Sequence, residues 1–414
     1  MALSIIKTTI NLLMGIISIK KVRHGMVYER EKLKKEIFEK LVSKTGQIKR
    51  RAQGVLKHDY LVPGGPYYQQ WDWDGFFMGM ALSSWIPSEA VYLRNITLNI
   101  LELAEDDGFC PGCIAPEGLK KTLKHIKPFT AQGAYIASEK LGDYSWIESY
   151  YKKLKSIVLY RRKHYWHEEY GLASWWDSME SGADNNVAIL GYEDNTVIAP
   201  DLNTYIYLEY KSFAAISLKL GYNKEAEEFM TRAADIKECL NKYLWCQEDK
   251  TYYAIDTKKA AFIRRLSFSS MVPLWAKLTP EDNAKDLIEK NILNPGRLWS
   301  DFGIRSLSKE DPDFNQRNII YPFSNWQGPV WPVANYLHCH GLNCYGYKEE
   351  ALICAQRVIE LCIGDMELTG GMHENYDSET GQPLAAPDFI SWNILLMNLI
   401  GELEDDRHPL ERLL

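Results

Sequence analysis

Acidic side chains flanked by tryptophans recur along this sequence in a pattern suited to chemistry on a sugar. The first cluster is Tyr68-Gln69-Gln70-Trp71-Asp72-Trp73-Asp74. Its indoles can stack on a sugar ring while its carboxylates grip ring hydroxyls. A structural alternative gives Asp74 the N-cap of the apolar helix that follows. The second cluster runs Trp175-Trp176-Asp177-Ser178-Met179-Glu180-Ser181-Gly182-Ala183-Asp184-Asn185, three acids within eight residues, with Gly182 able to bend the chain between them. The third, Asn325-Trp326-Gln327-Gly328-Pro329-Val330-Trp331-Pro332, has prolines that stiffen the entry to a helix and so hold Trp326 and Gln327 in register. The fourth is His373-Glu374-Asn375-Tyr376-Asp377.

Two carboxyl groups in an aromatic cleft are what cleavage of a glycosidic bond requires. One protonates the departing oxygen, and the other activates a water or attacks the anomeric carbon. Carboxyls serve both ends because burial raises one pKa while hydrogen bonding keeps the other group ionised. Glu374 pairs naturally with one of Asp177, Glu180 and Asp184. Competing chemistries lack their signatures: there is no G-x-G-x-x-G beside a strand, no phosphate loop, no H-E-x-x-H and no G-x-S-x-G. A lyase or epimerase would draw its base from His125 or His373, and a binding module would use the same aromatics without paired acids. Arg264 or Arg265 could receive a small carboxylate on the substrate, with a structural ion pair as the competing role. No metal or cofactor is expected. Cys110-Pro-Gly-Cys113 lacks the second thiol pair of a zinc site, and the eight cysteines are too sparse for a disulfide framework.

These clusters all fall in long connections between helices. Helical spacing predicts Glu29–Leu41, Gly75–Trp85, Glu89–Ala104, Ala131–Leu141, Trp146–Trp166, Leu202–Leu220, Lys224–Leu244, Ser267–Lys277, Glu281–Glu289, Val330–Cys344, Lys348–Cys362 and Phe389–Leu403. Short turns alternate with long connections over 45–74, 105–130, 167–200, 245–266, 292–329 and 364–388. Twelve helices then form six hairpins closed in a ring, an all-α (α/α)6 toroid whose long loops converge on one mouth. β-prone runs such as Thr251 to Ile255 leave an α+β fold as the alternative. The absence of a Pro-, Gly- or Ser-rich linker predicts one catalytic domain over 26–414. Residues 1–25 read as an extension: the apolar start is broken by Lys7, Thr8, Thr9 and Asn11 and is too short and interrupted for a membrane span.

Composition agrees with a sugar as partner. A net charge of −7 provides no field for nucleic acid, and 13 Trp with 25 Tyr exceed what a core requires. The expected location is cytoplasmic, with no stable membrane partner.

In their order, GPYYQQWDWDGFF, SGADN, NWQGPVWPVANYLHCHGLNCYG, HENYDSETGQP and PDFISWN resemble family 63 glycoside hydrolases, and within them the short mannosylglycerate and glucosylglycerate hydrolases. The similarity runs from about residue 50 to 402. It implies an (α/α)6 barrel and an inverting hydrolysis of an α-glucosidic or α-mannosidic bond in a small carbohydrate or sugar-glycerate. By the same resemblance, Asp184 is the general acid and Glu374 the general base. Trp71, Trp73 and Asp74 would bind the sugar, with Trp326 and Gln327 lining the same pocket. Tyr68, Gln70, Trp175, Trp176, Asn185, Gly328, Trp331, His373 and Tyr376 complete the candidate contacts. Where the family commonly has arginine after tryptophan, this chain has Gln327. Trehalase is a partial match at Gly64 to Asp74.

Overall fold

The computed structural model describes residue 35 and residues 38–120, 124–321 and 323–414. The expected extension over 1–25 and most of the expected Glu29–Leu41 helix lie outside the described residues; residues 38–45 are helical.

Six inner segments form the ring: α1 (Asp72–Trp85), α3 (Thr130–Leu141), α5 (Pro200–Lys219), α7 (Val272–Trp275, entered through a 3-10 turn at Phe268–Met271), α9 (Pro332–Cys344) and α11 (Leu396–Glu404, entered through Ser391–Leu395). Each packs on the next, and the last packs on α1. Outside them lie α2 (Ala90–Leu103), α4 (Tyr151–His164), α6 (Asn223–Tyr243), α8 (Glu281–Leu287) and α10 (Lys348–Thr369), with the 38–45 helix completing the outer layer. The architecture is the (α/α)6 toroid.

Burial separates the two layers in the way their sequences dictate. In α1 every residue from Asp72 to Ser83 is buried, because the helix is enclosed by its neighbours on all sides. Gly75 and Gly79 let it approach α2: a Cβ on Gly79 would come within 2.9 Å of Leu93. In α6 only Ala226, Phe229, Ala233, Ile236 and Leu240 are buried, a single stripe at helical spacing with charged residues outside it.

Some expected elements differ. Trp146–Trp166 divides into Ser145–Glu148 and α4, while α10 runs seven residues beyond Cys362 to Thr369. Asp74 is not an N-cap. Helix α1 begins at Asp72 after Trp71, so Asp74 lies inside the first turn, where its side chain accepts from Ser391 at the entry to α11 instead.

The long connections form a collar stitched by short antiparallel pairs. Gln70–Trp71 pairs with Cys113–Ala115, Ala254–Asp256 lies between Val197–Ile198 and Ala261–Ile263, and isolated bridges join Gly64 to Phe389, Ser267 to Leu307 and Val330 to Tyr376. The β-prone run at 251–255 thus makes two- and three-residue strands rather than a sheet layer. Two inner helices pin their own loops with an asparagine three residues after an initiating proline. Asn203 exchanges two hydrogen bonds with the Ala173 backbone (2.9 Å each), and Asn335 does the same with Ile304 (2.7 and 3.0 Å).

Candidate active site

Trp73, on the first turn of α1, is the hub of an aromatic wall at the mouth. Its ring centroid lies 6.1 Å from Trp326 and 5.3 Å from Trp392, and Trp326 stacks on Trp331 at 3.9 Å. The loop carrying Asp184 closes on the same ring. Gly182 has φ +79°, and a Cβ there would stand 2.8 Å from both the Trp73 ring and Lys127 Cε, so only glycine allows that approach.

Asp184 is tied to the third cluster. Its Oδ2 accepts from Ser324 N–H (3.0 Å) and the Ser324 hydroxyl (3.1 Å), whereas no protein donor reaches Oδ1 among the described residues. Beside it, Asn185 Oδ1 accepts from Trp326 N–H at 2.6 Å, and the Gln327 amide donates to the Asn185 carbonyl at 3.0 Å. Burial lifts the Asp184 carboxyl to about 6, against the lowering effect of its Ser324 bonds and the Lys127 charge.

Glu374 is buried, with its backbone N–H on Ala385 O at 2.9 Å. Burial, then the charges of Asp184 and Asp74, push its pKa well above the ordinary carboxylate range. Asp74 accepts the Ser391 hydroxyl at 2.6 Å and is raised to about 7, chiefly by burial. Tyr67 is raised by burial and then by the charges of Glu374, Asp74 and Asp184 together, so its phenol shares their surroundings. Among the described residues, several buried polar atoms here have no protein partner: the indole N–H groups of Trp326 and Trp392, and both amide atoms of Asn375 beside Glu374. Buried donors without acceptors are costly unless a ligand or water completes them.

The other expected residues fall in different places. Trp71 is half-buried and meets Tyr67 edge-on, while Tyr68 is 46% exposed. Gln70 faces away from this cluster, with its amide engaged by Ile96 O and Asn99. The Trp175 indole donates to Asp201 at 3.3 Å, an engagement that the Trp326 indole lacks, so its polar edge is committed to packing. Trp176 lies under Lys124, 4.7 Å from the ring. Gln327 also accepts from Asn315 at 2.8 Å, and Gly328, at φ +143°, admits Asn315 O where a Cβ would clash. His373 Nδ1 (2.8 Å) and the Tyr376 phenol (3.0 Å) both donate to Asp365, anchoring the residues on either side of Glu374 to α10. Neither Arg264 nor Arg265 is free: the first pairs with Glu248 and Asp249, the second with Asp311 and Asp313.

Tyr67, Lys127, Ser324 and Trp392 were not singled out as site residues. Alternation along the extended run places Tyr67 on the Trp71 side and Tyr68 opposite, which is the signal that distinguishes them. A lone buried lysine has no such signal.

Comparisons with known proteins bear on the family and the fold. Residues 67–392 match the family model described as the mannosylglycerate hydrolase MGH1-like glycoside hydrolase domain. The mannosylglycerate hydrolase of Rubrobacter radiotolerans is 26% identical over 207 residues, covering 50% of this chain and 44% of that protein. The matched stretch is thus less than half of that relative's length. Among solved structures, the family 63 mannosylglycerate hydrolase from Thermus thermophilus in complex with glucose superposes with a TM-score of 0.68 at 18% identity, over 88% of this chain and 99% of that one. Neutral trehalase from Saccharomyces cerevisiae gives 0.64 at 17%, over 85% and 76%. At such identities these two likenesses are of fold.

Proposed function

Because the chain belongs to the mannosylglycerate hydrolase MGH1-like glycoside hydrolase family, we propose that it hydrolyses, with inversion, an α-glucosidic or α-mannosidic bond in a small conjugate such as glucosylglycerate or mannosylglycerate. The observation that carries this reading is the convergence of Asp184 and Glu374, the charge of the first raising the second, beside the Trp73 wall, where the described residues leave two indole donors unpartnered.

Asp184 is the general acid. With Oδ2 occupied by Ser324, the proton resides on Oδ1 and passes to the departing glycosidic oxygen. Glu374 is the general base, taking a proton from the water that attacks the opposite face of the sugar. The charge on Asp184 raises the pKa of Glu374. Protonating Asp184 removes one of the charges that lift Glu374, so a proton on the acid helps keep the base ionised. Asp74 and the indoles of Trp73, Trp326 and Trp392 hold the ring. The catalytic unit is the single domain over 26–414, its substrate is a small carbohydrate, and its location is the cytoplasm, which suits eight free cysteines. Among the described residues, no helix is long and apolar enough to cross a membrane.

The test is a screen of α-linked glucosides and mannosides, both glycerate conjugates and trehalose included, for released hexose. Proton NMR in the first minutes should show the β-anomer ahead of mutarotation. No hexose from any substrate would sink the assignment, and an initial α-anomer would make Glu374 a nucleophile in a retaining reaction.

A further inference from the structure

A cation lies buried between the sugar-facing tryptophan and the proposed acid. The side chain of Lys127 is 7% exposed; its Nζ stands 3.2 Å from Asp72 Oδ1 and 5.2 Å from the Trp73 ring centroid. Burying a lysine is costly unless its charge is used, and pairing with Asp72 offsets the cost only in part. Asp72 also accepts two backbone N–H groups, from Trp73 (2.7 Å) and from Lys127 itself (2.8 Å), so the carboxylate is saturated. The ammonium is not. It has three donors, and Asp72 is the one protein acceptor within hydrogen-bond reach of it among the described residues. Gly182 meanwhile brings the Asp184 loop against Lys127 Cε.

We propose that Lys127 is a substrate-binding residue of this site, its ammonium donating to a hydroxyl oxygen of the sugar ring that rests on Trp73. The inference stands on the hydrolase reading above and names the cation that Arg264, Arg265 and Gln327 do not supply. It also gives Lys127 a hold on the acid, because its charge favours ionised Asp184. The other groups acting on that carboxyl are Ser324, which favours the charged form, and Asp177, which opposes it, while Asp184 and Asp74 both act on Glu374.

Glucose and mannose are titrated into wild type, Lys127→Met and Lys127→Gln, following tryptophan fluorescence, and kcat/KM is profiled against pH. Lys127→Met should weaken hexose binding about 10- to 100-fold, the range for a lost charged hydrogen bond, and Lys127→Gln should recover part of it. The basic limb of kcat/KM should move to higher pH in both, since removing the cation raises the Asp184 pKa; a purely structural role would leave that limb in place. If Lys127→Met folds poorly because Asp72 is stranded, the double variant Asp72→Asn/Lys127→Met removes the unpaired charge and should show the same binding loss. Wild type that neither binds nor cleaves would fail the hydrolase reading itself. Hexose binding unchanged within about twofold in a folded variant, with wild type active, overturns the role of Lys127 alone.

Discussion

Asp184 differs from the two other acids of its loop in what each carboxylate already holds. Asp177 caps the Ser178–Ser181 turn by accepting Glu180 N–H at 2.7 Å. Glu180 is engaged by Arg161 at 3.2 Å and by Trp176 N–H at 2.6 Å. Asp184, held by Ser324, is the one of the three whose charge raises Glu374, which places it toward the proposed base. Asp184→Asn should therefore lower kcat about 10²- to 10⁴-fold on substrates with poor leaving groups, and far less on aryl glycosides whose leaving group needs no proton. Equal losses on both, measured with the two substrate types side by side, would place the acid elsewhere. The residue types pointed to one of three acids facing a cleft, since tryptophans beside carboxylates suit a sugar better than a solvated turn. Residue types alone did not say which one, because that depends on Arg161 and Ser324, which are remote in sequence; the family resemblance named Asp184. Trp175 and Gln70 misled for the same reason: type and neighbourhood suit a sugar, but Asp201 and Asn99 had claimed them.

At the scale of elements, the helical pattern was legible wherever a helix is long and one-sided, as in α6. It was least legible where the inner ring is made of short turns. Phe268–Met271 and Ser391–Leu395 are 3-10 segments, and their apolar residues look helical because all sides are enclosed. The start of α3 shows what holds such an enclosed ring in place. Glu209, from α5, accepts the N–H groups of Ala131 (2.8 Å) and Gln132 (3.1 Å), capping a neighbouring helix from outside its own sequence. Burial nevertheless raises Glu209 to about 7 from 4.5, so the fold favours its protonated form. Stability from this group is full at low pH and lost as pH rises through about 7. With ~1.4 kcal/mol per unit, the loss is roughly 3 kcal/mol. Glu209→Gln should flatten the pH dependence of urea midpoints between about pH 4.5 and 7, while lowering the midpoint in acid. An unchanged slope would show that the carboxyl stays ionised throughout.

For the whole molecule, the alternation of short turns and long connections implied closure without showing where the closure is made. The structure locates it in the packing of Ser391–Leu395 on α1 and in the bond between Ser391 and Asp74, 317 residues apart. Gly64 and Gly65 assist, because a Cβ on either would strike the backbone of Pro387 or Asp388. A chain ending at residue 386 should accordingly lack hexose-releasing activity and bind a hydrophobic dye strongly, its α1 and α9 faces uncovered. Full activity in that truncated form would deny that the last helix completes the site.

That clasp also sets an order of events during synthesis. Bringing two points 317 residues apart together costs about 5 kcal/mol of chain entropy before any contact compensates. The five hairpins that precede it have short-range partners and can assemble as they leave the ribosome. Trp392, Ser391 and the seat of Glu374 follow the fifth hairpin, so until they emerge the nascent protein stays an open crescent with apolar edges. The proposed site does not exist until Ser391 and Trp392 have been made, and that interval is when the chain most needs protection from its own copies.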